Sequence, residues 1–272
     1  SVTQCEIIKE VSLDGVFVTF SLPEVSTSGN ALIAVKDSDG NILWSWHIWV
    51  TDFDPKATAQ TYISGAVMMD RNLGALSNTP GSFKSFGLMY QWGRKDPFVS
   101  SEYESGTWAV TYPENAINAL NYDSSIDTQD YATKHPNTVI YDSNWNKGNN
   151  NLWNSNKTMY DPCPAGWKVP DGGDKSIWSG MVTNSHNSLG VTIDPPYSLP
   201  STYIPEAGKN NSYAIGYGGF YWNNNSISIS SAGCLYMWYG TGLDPTDWEE
   251  KSNMQSIRCQ NIEMERFVID EA

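Results

Sequence analysis

The chain has 272 residues, which is enough for one large domain or two ordinary ones. Its 30 acidic and 16 basic side chains give a formal net charge of −14, which argues against nucleic acids and anionic membrane surfaces as partners. No apolar run reaches the roughly 18 residues of a transmembrane helix, so we expect no membrane insertion within this chain. The twelve Trp and fifteen Tyr residues favour a β-rich protein with long loops.

Residues 1–52 are predicted to be an all-β segment of two hairpins. Alternating apolar residues predict strands at Glu6–Val11 and Val16–Phe20. A second hairpin is predicted from Ala31–Val35 and Asn41–Thr51, which are separated by a typical turn sequence. Two hairpins alone form a weak core, so we expect this segment to be the end of a larger β-sandwich or to pack on the next domain of the chain.

A polar segment without periodicity, Thr51–Gln60, marks the predicted boundary to a second domain at 61–272. In that domain, strands are first predicted at Tyr62–Met69 and Phe86–Phe98. The charged residues Arg94–Asp96 near the end of the second strand are expected to form a solvated turn rather than a substrate clamp.

The stretch from 99 to 160 is the least regular part of the chain. One short helix is predicted at Pro113–Leu120. The polar tract Asn144–Asn156 is predicted to be a loop held by Trp145 and Trp153. Long ordered loops often carry binding residues, so these two tryptophans are either packing anchors or ligand contacts.

A proline-rich stretch, Tyr160–Pro170, leads into the second half of the domain. Its prolines exclude a helix and leave a short strand at Trp167–Val169. Asp171 is predicted to cap a short helix at Lys175–Val182. The remaining predicted strands are Gly219–Asn223, Ser226–Ser230, Leu235–Tyr239 and Ser256–Gln260.

The four cysteines show neither CxxC spacing nor a nearby histidine pair, so we expect no zinc site. If all four were oxidised, three pairings would be open. Cys163 and Cys259 each adjoin a short strand and form the candidate disulfide, which would close a loop of about a hundred residues and contribute roughly 4–5 kcal/mol. Cys5 and Cys234 are expected to be buried free thiols. This composition fits an extracytoplasmic protein better than a cytosolic enzyme.

No catalytic set of Ser, His and Asp or of Cys and His can be assembled from the three histidines. His47, between Trp46 and Ile48, is expected to be a core or interface histidine with a satisfied hydrogen bond. His135 and His186 lie in predicted loops and are expected at the surface. We therefore predict no catalytic residue.

Six short motifs resemble a known family. Cys163–Trp167, followed by Lys168–Pro170, is similar to the CPxGWxxP signature of the major paralogous (FISUMP) domains of bacterial surface proteins. Five other motifs over about 62–262 follow the order of that family: Asn72-Leu73, Leu88–Trp92, Ile204–Gly208, Gly219–Trp222 and Ser256–Cys259.

This resemblance implies a C-type lectin-like fold, an α+β and β-rich class with a mixed sheet, long loops and one or two short helices. It also supports a Cys163–Cys259 bridge between the first and last strands. Pro205-Glu206 and Trp222–Asn224 only approach the triplets of calcium-dependent lectins, so we expect no calcium site of that type and no other cofactor. A calcium site built from carbonyl oxygens and Asp side chains stays open.

The N-terminal segment shows a second resemblance. Asn30–Asp37 and Ile42–Thr51 are similar to the closing strands of a β-sandwich module in large surface proteins and fimbrial tip subunits of gut anaerobic bacteria. This implies that 1–52 is the remnant of such a module. Because the chain begins without methionine, we expect it to be a fragment or a processed form.

Three functions are consistent with these features. The first is a non-catalytic binding module at the bacterial cell surface, an adhesin or fimbrial (pilus) tip domain that recognises a glycan or a host protein. The second is a structural cap that contacts other subunits of a surface appendage, which predicts a large exposed apolar patch. The third is an enzyme of the formylglycine-generating type, which would need a reactive cysteine pair.

The candidate ligand contacts are aromatic rings, which stack on sugars, and amide side chains, which hydrogen-bond to hydroxyl groups. They are Trp145, Asn150, Trp153, Asn210, Asn211, Tyr213, Tyr217, Asn223 and Asn224.

Overall fold

The computed structural model describes a β-rich protein with one α-helix, α1 (Thr128–Lys134), among residues 7–25, 27–99, 118–121, 123–181, 185–187, 189–210, 214–239 and 242–262. This confirms the β-rich part of the predicted class. None of the helical segments in these ranges is long and apolar enough to cross a membrane. The strands are β1 (Glu10–Asp14), β2 (Phe17–Ser21), β3 (Gly29–Lys36), β4 (Ile42–Val50), β5 (Gln60–Tyr62), β6 (Val67–Met68), β7 (Leu88–Gln91), β8 (Phe98–Val99), β9 (Asn118–Asn121), β10 (Thr138–Tyr141), β11 (Trp167–Lys168), β12 (Ser185–Asn187), β13 (Gly190–Ile193), β14 (Ser198–Leu199), β15 (Thr202–Pro205), β16 (Gly218–Ser226), β17 (Ser231–Trp238), β18 (Gly242–Glu250), β19 (Met254–Ser256) and β20 (Gln260–Asn261).

Both predicted N-terminal hairpins are present. Strands β1 and β2 pair with Asp14 opposite Phe17, and β3 pairs with β4 along its whole length. The predicted first strand was placed too early, because β1 begins at Glu10 and Ile7 is instead buried against Gly29 of β3. Glu6 lies outside the described residues.

Buried polar contacts join the β3–β4 hairpin to the rest of the protein. The ammonium of Lys95 pairs with the Asp96 carboxylate at 2.7 Å and donates to the Ser45 carbonyl at 3.1 Å. The Ser45 hydroxyl donates to the same carboxylate at 2.6 Å. The prediction of a solvated turn at Arg94–Asp96 was therefore wrong, because all three side chains are buried and find partners on other segments.

Two larger sheets form the centre of the protein. One has the strand order β18-β17-β16-β19-β7-β8 and is mixed, because β16 and β19 run parallel. The other has the order β11-β20-β6-β5-β14. The predicted Cys163–Cys259 disulfide is present, with 5.9 Å between the Cα atoms, beside the antiparallel pair β11–β20. It lies in a core cluster with Trp92, Trp167 and Trp222.

Several stretches that were predicted to be one strand each contain parts of two strands in the structure. The stretch Tyr62–Met69 contains the last residue of β5 and all of β6, on either side of Gly65, and Phe86–Phe98 contains β7 and the start of β8 beyond Gly93. Both glycines have positive φ, 85° and 92°, which allows the chain to turn back. Ser256–Gln260 likewise divides between β19 and β20 in different sheets.

Ser226–Ser230 was wrongly predicted as a strand. It starts at the last residue of β16 and continues as the turn to β17. The Ser228 hydroxyl accepts from the backbone N–H groups of Ser230 and Ser231, at 3.2 and 3.0 Å, which favours a turn over an extended strand. The neighbouring strand β18 was not predicted.

The helices were also misplaced. Of the predicted helix Pro113–Leu120, residues 118–120 form part of β9, and 113–117 lie outside the described residues. The real helix, α1, begins after Asp127, whose carboxylate accepts from the N–H groups of Gln129 and Asp130. At its other end, the buried Arg94 guanidinium donates to the carbonyls of Ala132 and His135, both at 3.2 Å.

No α-helix follows Asp171 in the described part of this segment. The chain forms a three-residue 3-10 turn at Gly173–Lys175, and Val182 lies outside the described residues. The Asp171 carboxylate is used elsewhere, because it accepts from Lys168 at 2.8 Å and from Asn224 at 2.7 Å. It is therefore not available as the predicted helix cap.

Replacing both bridging cysteines, as C163A/C259A, is expected to lower the free energy of unfolding by about 4 kcal/mol. The bond joins residues 96 positions apart, and its loss returns the freedom of that segment to the unfolded chain. Chemical denaturation followed by tryptophan fluorescence measures the change. Cys234→Ala, which removes a buried sulfur without opening a loop, is the control, and an equal loss in both variants would contradict the expectation.

Candidate functional site

Trp145 and Trp153 are packing anchors of the irregular Asn144–Asn156 loop. Both rings are buried. Trp153 lies 5.6 Å from the Trp92 ring and donates through Nε1 to the Tyr160 carbonyl at 3.0 Å. Since neither ring reaches solvent in this structure, packing is the role that the structure supports for both.

Asn223 and Asn224 also hold the protein together. Asn223 is buried, its Oδ1 accepts from the Asn225 N–H at 2.9 Å, and its carbonyl accepts from the Trp92 indole at 2.8 Å. Asn224 donates to Asp171 and accepts from the Gly172 N–H at 3.3 Å. Their side chains are thus committed to internal hydrogen bonds.

Asn150 is exposed, but its amide oxygen serves a buried lysine. The Lys251 ammonium donates to Asn150 Oδ1 at 2.9 Å, to the Ser226 hydroxyl at 2.9 Å and to the Ser228 carbonyl at 2.8 Å. It lies 4.5 Å from the centre of the Trp92 ring. These acceptors are neutral, and burial lowers the pKa of Lys251 to about 8.

The next candidate ligand contacts are Asn210, Asn211 and Tyr213, which lie in another segment of the chain. Asn211 and Tyr213 lie outside the described residues, but their neighbour Asn210 is exposed and hydrogen-bonded. Its Oδ1 accepts from the Met254 N–H at 2.7 Å, and its Nδ2 donates to Asn253 Oδ1 at 2.9 Å. Asn210 is therefore held in one orientation.

Asn210 is one end of a connected set of four side chains that we call the polar row: Lys209, Asn210, Asn253 and Glu249. Asn253 Nδ2 donates to Glu249 Oε2 at 2.7 Å, and Lys209 forms an ion pair with Glu249 Oε1. The row brings amide, carboxylate and ammonium groups from three segments together. Of these four residues, only Asn210 was a candidate from the sequence. Lys209 is its neighbour in the same polar stretch, whereas Glu249 and Asn253 lie in a distant segment without a distinguishing local pattern.

Aromatic side chains lie beside the polar row on the same face of the large sheet. We call Phe220, Tyr236 and Trp238 the aromatic row. Tyr236 is 5.2 Å from Phe220 and stacks on Trp238 with 6.0 Å between ring centres. Lys209 Nζ lies 4.7 Å from the centre of the Phe220 ring, which connects the two rows.

A glycine and two exposed tyrosines complete this surface. A Cβ atom on Gly218, opposite Trp238, would lie 2.9 Å from the indole, so the ring rests directly over the backbone of β16. Tyr217 is 55% exposed and Tyr239 is 63% exposed, and their backbones are joined by a 2.8 Å hydrogen bond. We call the two rows, together with Tyr217 and Tyr239, the chain neighbours of Gly218 and Trp238, the binding surface.

Two clefts beside the β3–β4 hairpin are weaker candidates for a ligand-binding site. They flank His47 and have volumes of about 260 and 240 Å³. Both are smaller than the roughly 300 Å³ at which pockets for small molecules begin. Their walls are largely apolar, with Leu88 and Phe98 in one and Trp49 and Met69 in the other.

His47 itself is an interface residue, as predicted. Its Nε2 is 2.9 Å from Asn30 Oδ1, and its Nδ1 is 3.3 Å from the Tyr90 hydroxyl. Burial lowers its pKa to about 4, so the ring is neutral at pH 7. His135 is exposed and stacks on Tyr131, whereas the side chain of His186 lies outside the described part of the chain.

Cys234 has none of the features of a reactive thiol. It is a free cysteine, as predicted, and it is buried. Burial, together with the nearby Asp247 and Glu249 carboxylates, raises the pKa of its thiol far above the ordinary value. Cys5, the other cysteine outside the disulfide, lies outside the described residues.

The described residues contain no group of three or more His, Cys, Asp or Glu side chains placed to bind a metal ion. Glu206, in the segment that approaches a lectin triplet, is buried. The absence of a calcium site remains a prediction. Comparisons of the chain with family models, curated proteins and solved structures gave no match.

In a Cys5→Ser background, Cys234 is expected not to react with a thiol reagent at pH 7 in the folded protein and to react fully in denaturant. Its burial and raised pKa keep the thiol protonated and inaccessible. Absorbance during reaction with a disulfide reagent measures this. Rapid reaction of the folded protein would contradict the burial and would favour the enzymatic alternative.

The free energy of unfolding is expected to contain a contribution from Lys251 that rises with pH. Its pKa is about 8 in the folded protein and has the ordinary value of 10.5 after unfolding. The unfolded state therefore binds more protons between these values, so stability rises from about pH 8 and levels off above 10.5. Urea denaturation across this range, with Lys251→Met as a flatter comparison, checks the sign. A fall in the wild type relative to the variant would contradict it.

Proposed function

We propose that this chain is a non-catalytic binding module at the surface of a bacterial cell, an adhesin or fimbrial tip domain, and that its binding surface recognises a glycan. The observation that carries the proposal is one face of the large sheet, on which the partly exposed Tyr236 and Trp238 lie with the hydrogen-bonded polar row. At the ends of the same strands are two rings that are more than half exposed, Tyr217 and Tyr239. The fully buried tryptophans of the core serve packing, whereas these two rings face solvent.

The chemistry of the surface matches that of a sugar. A sugar ring has a face of C–H groups, which stacks on an aromatic ring, and an edge of hydroxyl groups, which both donate and accept hydrogen bonds. Tyr236 and Trp238, which are partly exposed, and the two exposed tyrosines offer the first kind of contact, and the polar row offers the second. Phe220 is buried and supports the Tyr236 ring from below. Because the polar row is already fixed by internal hydrogen bonds, little side-chain entropy is lost on binding.

We also propose the C-type lectin-like fold of the FISUMP domains for residues 61–272. The support is that motifs behind the resemblance contact one another. Asn72 Oδ1 accepts from Arg258 Nη2 at 3.0 Å, and Asn72 Nδ2 is 3.0 Å from the Tyr221 hydroxyl. The Cys163–Cys259 bridge adds a further motif pair. With this family resemblance we also propose a location outside the cytoplasm, either attached to the outer membrane or in a fimbria.

A structural cap of a surface appendage is the second candidate, and one feature favours it. On the β1–β2 hairpin, Val11 lies opposite Phe20 and Leu13 opposite Val18. Val11, Leu13 and Phe20 are all exposed, so this face of the hairpin is apolar and open to solvent. Such a face suits contact with another subunit of the appendage or with a host surface protein.

The glycan proposal is tested on a glycan array, first in calcium and then in chelator. We expect binding to a defined set of sugars, and Tyr217→Ala or Tyr239→Ala to weaken it about three- to tenfold by removing one stacking ring. Tyr141→Ala is the matched control, because Tyr141 is equally exposed but belongs to the separate β9–β10 pair. Equal loss in the control would contradict the proposed site.

The array also separates the two candidate functions. A folded protein that binds no glycan in either buffer contradicts the glycan proposal. In that case Leu13→Glu, which places a charge on the open hairpin face, is expected to abolish binding to purified appendage subunits if the structural alternative holds. Binding that is lost only in chelator would contradict the expectation of no calcium site.

A further inference from the structure

We infer that the binding surface takes an uncharged glycan rather than a sialylated, sulfated or uronic one, and that Glu249 determines this preference. The inference rests on the proposed function and concerns the same surface. Two features support it: the charges on the sheet face that carries the aromatic row, and the donor and acceptor groups that the polar row has available for a ligand.

Three carboxylates share the face of the aromatic row. Across the β17–β18 pair, Glu249 lies opposite Ala232, Asp247 opposite Cys234 and Asp244 opposite Tyr236. Opposed residues of an antiparallel pair project from the same face of a sheet, and alternate residues of β17 share that face. The shifts that Asp247 and Glu249 cause in the pKa of the Cys234 thiol agree with this placement.

The cation of the polar row is already engaged. Lys209 pairs with Glu249 and lies over the Phe220 ring. Its charge is therefore offset by one carboxylate, while Asp244 and Asp247 leave this face negative. An anionic ligand would meet a repulsive field here, and the formal charge of −14 on the whole chain adds to it.

The hydrogen-bonding groups of the polar row also favour an uncharged glycan. Both oxygens of Glu249 are held, Oε1 by Lys209 and Oε2 by Asn253, so the carboxylate has a fixed direction and can only accept further bonds. The Asn210 and Asn253 amides each carry a second N–H that can donate. Adjacent acceptor and donor groups fit a pair of sugar hydroxyls, which can play both roles. A ligand carboxylate or sulfate can only accept and would face the Glu249 carboxylate.

The test uses a glycan array printed with matched neutral, sialylated and sulfated forms of the same chains. The wild-type protein is expected to bind the neutral form at least tenfold more tightly than either acidic form. Glu249→Gln keeps the size and one acceptor oxygen of the side chain but removes its charge and leaves the charge of Lys209 uncompensated. We expect it to reduce the discrimination about tenfold.

Glu250→Gln is the matched control. It makes the same change in net charge one residue away, and Glu250 is exposed and opposite Ser231, so it projects from the other face of the sheet. Its discrimination is expected to equal that of the wild type. If Glu249→Gln fails to fold, as judged by thermal unfolding, Asp247→Asn removes a charge from the same face and is expected to relax the discrimination in the same direction.

Each outcome bears on a different claim. Preference of the wild type for an acidic glycan would overturn the inference and leave the glycan-binding proposal intact. Equal effects of Glu249→Gln and Glu250→Gln would overturn the role of Glu249. Absence of any glycan binding by the folded wild type would overturn the proposed function itself.

Discussion

The assembly of the sheets depends on the hydrogen bonds that the Arg258 guanidinium donates. The guanidinium is buried, and it donates to Asn72 Oδ1, to the Thr202 hydroxyl at 2.9 Å and to the Tyr203 carbonyl at 2.9 Å. Arg258 stands between β19 of the six-stranded sheet and β20 of the five-stranded sheet, and its acceptors include two residues of β15. A buried charge is tolerated only when its donors find partners, so these segments must assemble together.

The fold could be predicted from the sequence where local signals decide the structure. The two N-terminal hairpins follow from alternating apolar residues and short turns. The burial of Arg94 could not be predicted, because its carbonyl acceptors come together only in the folded chain. One of these acceptors belongs to α1, whose location was likewise not predicted. Strand β18 was missed for a related reason: as an edge strand it exposes every second residue and lacks an apolar alternation.

The candidate site was only partly accessible from sequence. Asn210 and Tyr217 are in the binding surface, and a polar, glycine-rich stretch was a sufficient signal for them. Trp145 and Trp153 are also aromatic residues in a polar stretch of sequence, but the loop around them folds inward and buries the rings. Glu249 comes from a strand more than 30 positions after Asn210, and only sheet pairing and the turn before β19 bring the two segments together.

The disulfide has a mechanical consequence for this surface. Every residue of the polar and aromatic rows lies between Cys163 and Cys259, which are 96 positions apart in sequence. A pulling force applied to the two ends of the chain passes through the covalent bond and bypasses this segment. About 300 Å of extended chain is thereby kept out of the load path. Strands β16 to β18, which carry the aromatic row and Glu249, can thus keep their arrangement while the rest of the chain is under tension.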